Sequence, residues 1–286
     1  MGTLWRISET AQTALLFPGQ GSQTPDMRDA VERERPDLLE LATELVGADP
    51  FERIDEGTRF QQPAIFCASL VGWIGAPELS PAALAGHSLG EITALVAAGA
   101  LAEEDGLRLV ATRARLMQEA GEAADGGMIA VRAGSAEVES LIAGTGTVIA
   151  NDNAPRQIVL SGEESALALA EEKLKEARIK GLRLRVSAAF HSPAMEPAVT
   201  GFREAVRETS FAPSRIPVVS CSLAAVPDDP GEALVQGLTS QVRWVETQQE
   251  LHRRGIRRFV ETGPGKVLTG LARRTLPDVE VETLAL

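Results

Sequence analysis

A serine between two glycines is the feature that most constrains this chain. Residues 84–92 read LAGHSLGEI, with Ser88 between Gly86 and Gly90. A short apolar strand is predicted at 83–86 and a helix after the serine. This arrangement is typical of a nucleophile elbow, where crowding demands small neighbours and free helix N–H groups can stabilise an oxyanion. Ser88 and Glu91 also have the spacing of a capping box, so an ordinary helix cap remains an alternative.

Strand and helix patterns alternate around this turn. Strands are predicted at 14–17, 83–86, 216–220 and 258–261. Helical patterns cover about 27–46, 61–75, 104–121, 231–254 and 265–275. Such alternation predicts a parallel sheet covered by helices, in an α/β fold.

A second module interrupts this pattern. The breaker cluster AADGG at 123–127 precedes a strand at 128–132, a helix at 135–143 and strands at 147–151 and 157–161. A helix at 163–178, with Ser161 and Glu164 spaced as a capping box, and a strand at 182–187 complete the module. The order βαββαβ is ferredoxin-like. We therefore predict a main domain from residues 1–122 and 188–286, with a small domain inserted at 123–187.

Composition limits the partners and the compartment. The 286 residues carry a net charge of −12, which disfavours nucleic acid and anionic membranes as partners. No apolar run is long enough to span a membrane, and the first residues show no secretory pattern. Cys67 and Cys221 lie in apolar surroundings without metal-like spacing, which predicts core thiols, no metal site and a cytoplasmic protein.

The serine needs a base, and the chain has three histidines. His87 is adjacent to Ser88, so we expect its side chain to point away. His252 lies in a charged stretch typical of an exposed helix face. His191 follows an apolar strand and precedes a helix start, a place where site residues often lie. His191 is thus the candidate base, and a structural histidine is the alternative.

One arginine is predicted to lie on the apolar face of its helix, where a charged side chain is unexpected. In GLRLVATRARLMQEA, Arg113 falls inside the arc formed by Leu109, Val110, Leu116 and Met117. A buried arginine without an anion is costly. Arg113 is therefore expected to form an internal ion pair or to receive a substrate carboxylate.

These residues stand in a recognisable context. The chain resembles malonyl-CoA:acyl carrier protein transacylases and the related acyltransferase domains of polyketide synthases. Seven motifs appear in the family's order across nearly the whole chain: FPGQGSQ, QQPAIF, GHSLGE, TRARLMQ, NDNAPRQIVLSG, AFHSPAM and TGPGKVLTGL. The resemblance implies an α/β-hydrolase-like domain with an inserted ferredoxin-like domain, in agreement with the reading above.

The resemblance also implies roles for the candidate residues. Ser88 would be the nucleophile, His191 the general base and Arg113 the receptor of the malonyl carboxylate. The backbone N–H groups of Gln20 and Leu89 would form the oxyanion hole.

Three further residues receive roles on the same basis. Asn153 would lie near the substrate. A backbone carbonyl at about Arg243 would orient the histidine in place of an acidic side chain. Phe190, before the histidine, resembles the malonyl-selecting form of the family, in which a bulky ring leaves little room for an α-methyl group.

The implied reaction is ping-pong transfer of malonyl from malonyl-CoA to the phosphopantetheine thiol of an acyl carrier protein, without a bound cofactor. A monomer is expected. Because such carriers are acidic, docking needs local positive charge, for which 252–258, Arg273 with Arg274, and 180–185 are candidates.

Two other classes stay open. A thioesterase or other hydrolase would share the elbow, but would normally place an acid between the serine and a late histidine. A docking or scaffold protein would not need a serine, a histidine and a buried arginine together.

Overall fold

The computed structural model describes residues 12–76, 78–186, 188–284 and 286. Residues 1–11 lie outside this part, and with them the segment used for the secretory prediction. Strands are numbered along the chain: β1 Thr13–Phe17, β2 Ala83–Gly86, β3 Gly126–Val131, β4 Val148–Ala154, β5 Gln157–Glu163, β6 Gly181–Arg183, β7 Val218–Val219, β8 Arg258–Thr262 and β9 Glu280–Leu284.

The helices are numbered in the same way: α1 Met27–Glu34, α2 Pro36–Val46, α3 Thr58–Ile74, α4 Gly90–Ala97, α5 Glu103–Ala123, α6 Ser135–Ile142, α7 Glu164–Glu176, α8 Glu196–Glu208, α9 Pro230–Gln236, α10 Trp244–Arg253 and α11 Val267–Thr275. Short 3₁₀ turns occupy Ile54–Glu56 and Pro193–Met195. The single helical stretch predicted at 27–46 is two helices, because Pro36 disfavours helical geometry at Arg35 and starts α2.

The larger sheet is parallel throughout, in the order β7-β2-β1-β8-β9. Its central strand β1 buries Leu15 and Phe17 in one core cluster, and Ala14 and Leu16 in another. Burial on both faces explains why β1 reads as a continuous apolar run. Strand β9 was not predicted, because it lies at the sheet edge and its sequence EVETL carries two exposed glutamates.

The second sheet is antiparallel, in the order β4-β5-β3-β6. Numbered within the module this is 2-3-1-4, as the βαββαβ pattern predicts for a ferredoxin-like unit. Residues from β3, β5, α6 and α7 form a separate core cluster around Ile129, Val138, Leu160 and Leu167. The predicted fold class, a parallel α/β sheet with a separate small antiparallel sheet, is confirmed.

The capping prediction at Ser161 is wrong. Ser161 is fully buried inside β5, and Glu163 occupies the cap position of α7 without a side-chain cap bond. The strand continues two residues further than predicted, because β5 pairs with β3 as far as the pair Gly126 and Glu163.

Backbone hydrogen bonds join the small sheet to the larger domain beside the elbow. The Asp152 N–H donates to the Val242 carbonyl, and the Val242 N–H donates to the Ala150 carbonyl, both at 2.8 Å. On the next strand, an Arg274 Nη2 donates to Gln157 Oε1 at 3.1 Å. These bonds place β4 and the start of β5 at the edge of the active-site region.

Within the described ranges, no helix is both long and apolar enough to cross a membrane. Cys67 and Cys221 are both buried and unpaired with each other. Among the same residues, no group of three or more His, Cys, Asp or Glu side chains could hold a metal ion.

Candidate active site

Ser88 occupies a sharp turn between β2 and α4. Its φ is 53°, in the left-handed region. A Cβ added at Gly86 would lie 1.9 Å from the Gly90 carbonyl carbon, and one at Gly90 would lie 2.0 Å from the Phe17 carbonyl oxygen. Side chains at these two positions would collide with backbone atoms, so both glycines are required by the turn.

The capping alternative does not describe Ser88. Leu89 holds the cap position of α4, and no side chain caps it. Glu91 is buried and accepts a hydrogen bond from the Cys221 N–H at 2.9 Å, instead of closing a capping box with Ser88. The hydroxyl of Ser88 is therefore available for other partners.

One of those partners is His191. Ser88 Oγ lies 2.8 Å from His191 Nε2, and His191 Nδ1 lies 2.9 Å from the Gly237 carbonyl oxygen. Because a carbonyl can only accept, Nδ1 carries the hydrogen and Nε2 is left to accept from the serine hydroxyl. Burial, together with the charge of Arg113, lowers the pKa of His191 to about 3. The structure thus brings the predicted nucleophile and base together, with the base neutral.

The predicted orienting residue is wrong. The Arg243 carbonyl accepts from the Thr247 N–H and from Thr247 Oγ1, both at 2.9 Å, because Arg243 caps the start of α10. Gly237 lies at the C-terminal end of α9, where helix carbonyls lack intrahelical partners and carry partial negative charge. The carbonyl at the C-terminal end of α9 therefore orients the His191 ring through its Nδ1–H.

The two predicted oxyanion donors belong to residues near the serine: Leu89 follows Ser88 in the chain, and Gln20 lines the same cavity as Ser88. A Cβ at Gly19 would lie 2.6 Å from the His87 carbonyl oxygen, so the loop after β1 lies directly against the elbow. Among the described residues, neither the Gln20 N–H nor the Leu89 N–H has a hydrogen-bond acceptor. Their positions suit the predicted oxyanion hole, in which free N–H groups receive a developing negative charge.

Arg113 is buried, with 4% of its surface exposed. Its Nη1 donates to Gln62 Oε1 at 2.7 Å, and its Nη2 donates to Ser88 Oγ at 3.0 Å. None of the ion pairs formed by the described residues includes Arg113. Burial lowers the pKa of its guanidinium to about 10. The part of the chain that the structure describes therefore contains no partner for the internal ion pair that the sequence left open, and the guanidinium lies beside the Ser88 hydroxyl.

A cavity of about 440 Å³ opens above the dyad, between the two sheets. Ser88, His191, Phe190 and Asn153 all line it. Asn153 Oδ1 lies 2.8 Å from Nε2 of His87, which also packs edge-on against the Trp244 ring. As expected, His87 points away from the serine hydroxyl, and it ties the elbow to β4.

Sequence reasoning missed two members of the site. Gln62 is fully buried and accepts a hydrogen bond from Arg113. Its motif QQPAIF contributed to the family resemblance, but no role was predicted for Gln62 itself. A buried glutamine in an apolar helix was the available signal. Gly237 acts through its backbone carbonyl, which no residue type reveals.

A second groove, of about 630 Å³, continues from the cavity and shares Ala130 and Gln157 with it. Four basic residues and no acidic residue line this groove: Arg132, Arg156, Lys180 and Arg274. Leu182, 69% exposed, lies among them. We name it the basic groove.

Ion pairs neutralise several arginines of two predicted positive patches, 252–258 and 180–185. Arg253 and Arg254 pair with Glu250, and Arg258 pairs with Glu282. Arg183 is likewise paired with Glu164 and Glu171. Of the predicted patches, Lys180 and Arg274 are the members that lie in the basic groove.

The fold and the geometry of the site define a class of protein, the α/β acyltransferases. A neutral histidine can take the serine proton, and free N–H groups can hold the oxyanion of a tetrahedral intermediate. The chain belongs to the acyl transferase domain family, whose sequence profile matches residues 44–285. The resemblance drawn from the motifs is thereby confirmed.

Individual relatives agree with this assignment. The chain is 39% identical over 283 residues to the polyketide biosynthesis protein ThaF of Burkholderia thailandensis, covering 92% of this chain and 24% of ThaF. It is 34% identical over 293 residues to the malonyl CoA-acyl carrier protein transacylase of Synechocystis sp., covering 96% of this chain and 97% of that protein. The chain thus spans about a quarter of ThaF and nearly all of the transacylase.

A solved structure shares the whole fold. The malonyl-CoA:acyl carrier protein transacylase from Xanthomonas oryzae pv. oryzae superposes with a TM-score of 0.90 at 37% identity. The match covers 96% of this chain and 95% of that one.

Proposed function

We propose that this acyltransferase moves a malonyl group from malonyl-CoA to the phosphopantetheine thiol of an acyl carrier protein, for fatty-acid or polyketide synthesis. The names of the Synechocystis and Xanthomonas relatives support the reaction. The observation that carries the proposal is Arg113, a buried cation that forms no ion pair with another described residue and whose Nη2 donates to Ser88 Oγ. An acyl group that ends in a carboxylate would supply the missing charge.

The proposed mechanism uses the dyad twice. Ser88 Oγ attacks the thioester carbonyl carbon while its proton passes to His191 Nε2, and the oxyanion accepts from the Gln20 and Leu89 N–H groups. The carbon–sulfur bond then breaks, and coenzyme A leaves with the proton from His191. The carrier thiol gives its proton to His191 and attacks the carbonyl carbon of the malonyl-serine ester. The carbon–oxygen bond to Ser88 then breaks, and Ser88 Oγ takes the proton back from His191. No metal or bound cofactor is needed in this scheme, because the thioester already activates the carbonyl.

Phe190 is proposed to select against α-substituted acyl groups. Its ring is 7% exposed and lines the cavity immediately before His191. One methyl group in an apolar pocket discriminates by about 1–3 kcal/mol. We therefore expect the enzyme to prefer malonyl-CoA measurably but still to accept some methylmalonyl-CoA.

The basic groove is the proposed docking surface for the carrier protein. The chain carries a net charge of −12, yet this groove presents four basic side chains next to the active-site cavity. None of the four forms an ion pair with another described residue. An acidic helix with an apolar residue facing Leu182 would complement this surface. We further propose that the enzyme works as a cytoplasmic monomer, where its two buried thiols stay reduced.

The test is intact-protein mass after brief incubation with malonyl-CoA, acetyl-CoA or methylmalonyl-CoA. We expect a malonyl adduct that disappears in Ser88→Ala and is cleared by added carrier protein. Arg113→Ala should slow malonyl acylation by on the order of 100-fold and leave acetyl acylation much less affected, because only malonyl presents a carboxylate.

Arg108→Ala is the matched control, since Arg108 lies exposed on the same helix. Coenzyme A release without an adduct would indicate a hydrolase. A folded protein that neither forms an adduct nor releases coenzyme A would indicate a binding protein, and either result overturns the proposal.

A further inference from the structure

A fully buried glutamine connects the carboxylate receptor to the oxyanion loop. Gln62, on α3, accepts from Arg113 Nη1 at 2.7 Å through its Oε1. Its Nε2 donates to Gln20 Oε1 at 3.0 Å. Gln20 lines the same cavity as Ser88, and its backbone N–H is one of the two proposed oxyanion donors. Arg113 and Gln20 have no direct hydrogen bond, so Gln62 is the polar link between them.

The chain of bonds continues beyond Gln20. Gln20 Nε2 donates to Gln61 Oε1 at 2.8 Å and to Thr58 Oγ1 at 3.1 Å. Gln61 Nε2 in turn donates to the Ile54 carbonyl at 3.1 Å. Both the oxygen and the nitrogen of the Gln20 side chain are therefore held.

The direction of these bonds is fixed from one end. An arginine has donors and no acceptor, so Gln62 must present its oxygen to Arg113. Its amide nitrogen then faces Gln20, which must present its own oxygen and turn its nitrogen to Gln61. If the guanidinium of Arg113 turns, the side-chain amides of Gln62 and Gln20 must shift to keep these hydrogen bonds. In a low-dielectric interior, successive hydrogen bonds of such a series polarise one another, so that the series acts as a unit.

We propose that Gln62 is a positioning residue that couples binding of the acyl carboxylate at Arg113 to the placement of Gln20 in the oxyanion hole. The proposal rests on the proposed malonyl transfer. Binding energy from the carboxylate is then expressed in the transition state of acylation, where it raises the rate constant rather than only tightening the thioester complex. Selection of malonyl over acetyl follows from both the charge and this placement.

The experiment measures Ser88 acylation in single turnovers, across a range of malonyl-CoA and acetyl-CoA concentrations. Gln62→Met keeps the size of the side chain and removes both polar atoms. We expect the saturating acylation rate with malonyl-CoA to fall by ~10- to 100-fold, with little change in the half-saturating concentration. Acetyl-CoA acylation should fall several-fold, because Gln20 alone is disturbed for that donor.

A double variant tests the coupling. In an Arg113→Ala background, Gln62→Met should cost no more with malonyl-CoA than it costs the wild type with acetyl-CoA, since the carboxylate no longer acts through Gln62. Additive effects of the two substitutions would overturn the proposal. A change confined to the half-saturating concentration would overturn it as well.

Two further variants separate positioning from folding. Gln62→Glu keeps the shape and an acceptor for Arg113, and should fold while reducing the malonyl-to-acetyl ratio, because its carboxylate occupies the receptor. Gln248→Met is the matched control: Gln248 is also fully buried, and its Nε2 donates to the Trp244 carbonyl and to Thr275 Oγ1 instead of to Arg113 or Gln20. Acylation rates of the control should stay within ~2-fold of the wild type.

A fluorophosphonate probe distinguishes this inference from the proposed function. The probe bonds Ser88 Oγ and loses fluoride, and its phosphoryl oxygen uses the oxyanion hole without any carboxylate. Should wild-type Ser88 take no malonyl group, the proposed function fails, and probe labelling still tests the link from Gln62 to Gln20. Gln62→Met should slow labelling several-fold relative to Gln248→Met; equal labelling would overturn the inference.

Discussion

Ser88 and His191 both adopt left-handed backbone conformations, with φ of 53° and 55°. Such conformations cost about 1–3 kcal/mol each for residues other than glycine. Neighbouring contacts support both conformations. Gly86 and Gly90 allow the turn around Ser88 to close. Next to His191, Ser192 Oγ accepts a hydrogen bond from the Ala194 N–H at 3.2 Å. The two side chains meet at 2.8 Å because their backbones are held in these unusual geometries.

The low pKa of His191 gives a prediction for its titration. Burial and the charge of Arg113 lower that pKa to about 3, whereas the pKa of a histidine in an unfolded chain is about 6.5. Between these values the unfolded chain binds a proton that the folded chain excludes. The free energy of unfolding should therefore decrease as the pH falls through this window, and His191→Gln should make the decrease shallower.

The measurement is the imidazole NMR signal of His191, assigned with the Gln variant, alongside denaturant unfolding at each pH. We expect the imidazole of the folded protein to stay neutral between pH ~7 and ~5. Titration of that signal near pH ~6.5 would contradict the prediction.

At the scale of elements, the site is assembled from helix ends and strand ends. The β2–α4 turn supplies Ser88, the loop after β1 supplies Gln20, and the end of α9 supplies the carbonyl that bonds His191 Nδ1. Helices α3 and α5 pack against each other and bring Gln62 to Arg113. Each contribution depends on where an element ends and on how closely two backbones approach.

The elbow should not tolerate a side chain at Gly86. An added Cβ would lie within 2.1 Å of three backbone atoms of α4, so the turn would have to open. We expect Gly86→Ala to destabilise the protein by about 3 kcal/mol or more and to abolish acylation of Ser88.

Gly75→Ala is the control, because its φ is −68° and its nearest contact would be 3.4 Å, an ordinary distance. Thermal unfolding and probe labelling of Ser88 measure the two effects. A Gly86→Ala protein with wild-type labelling would show that the elbow is not required.

At the scale of the whole molecule, charge is unevenly distributed. An acidic protein would repel an acidic carrier at long range, and the basic groove, the proposed docking surface, would attract the carrier beside the cavity. Screening by salt weakens interactions between exposed charges. The docking step should therefore be more sensitive to salt than the acylation step.

Charge reversal in the basic groove tests this. The double variant Arg156→Glu, Lys180→Glu should raise the KM for the carrier protein by ~10-fold or more and leave acylation by malonyl-CoA within ~2-fold. Lys175→Glu, an exposed residue of α7 outside the groove, is the control. An equal loss in the control would contradict the prediction, and a loss confined to malonyl-CoA would assign the groove to the donor.

The sequence by itself determined the class of fold and most of the chemistry. Periodicity separated the parallel α/β domain from the βαββαβ module, because side-chain spacing follows directly from local backbone geometry. Local patterns also pointed to Ser88 from its glycines and to Arg113 from its place on an apolar helix face. His191 was selected because it follows an apolar strand predicted at 182–187, but that strand, β6, ends at Arg183 in the structure. These signals are local, because they depend on residue type and on spacing along the chain.

Tertiary structure alone decided the contacts that involve backbone groups or distant residues. The carbonyl that orients His191 belongs to Gly237 and not to Arg243, because the Arg243 carbonyl is already taken up by the start of α10. Gln62 became part of the site only when α3 packed on α5, and Ser161 became a strand residue through pairing with β3. A backbone carbonyl has no signature in the sequence, and which partner it meets depends on how whole elements pack.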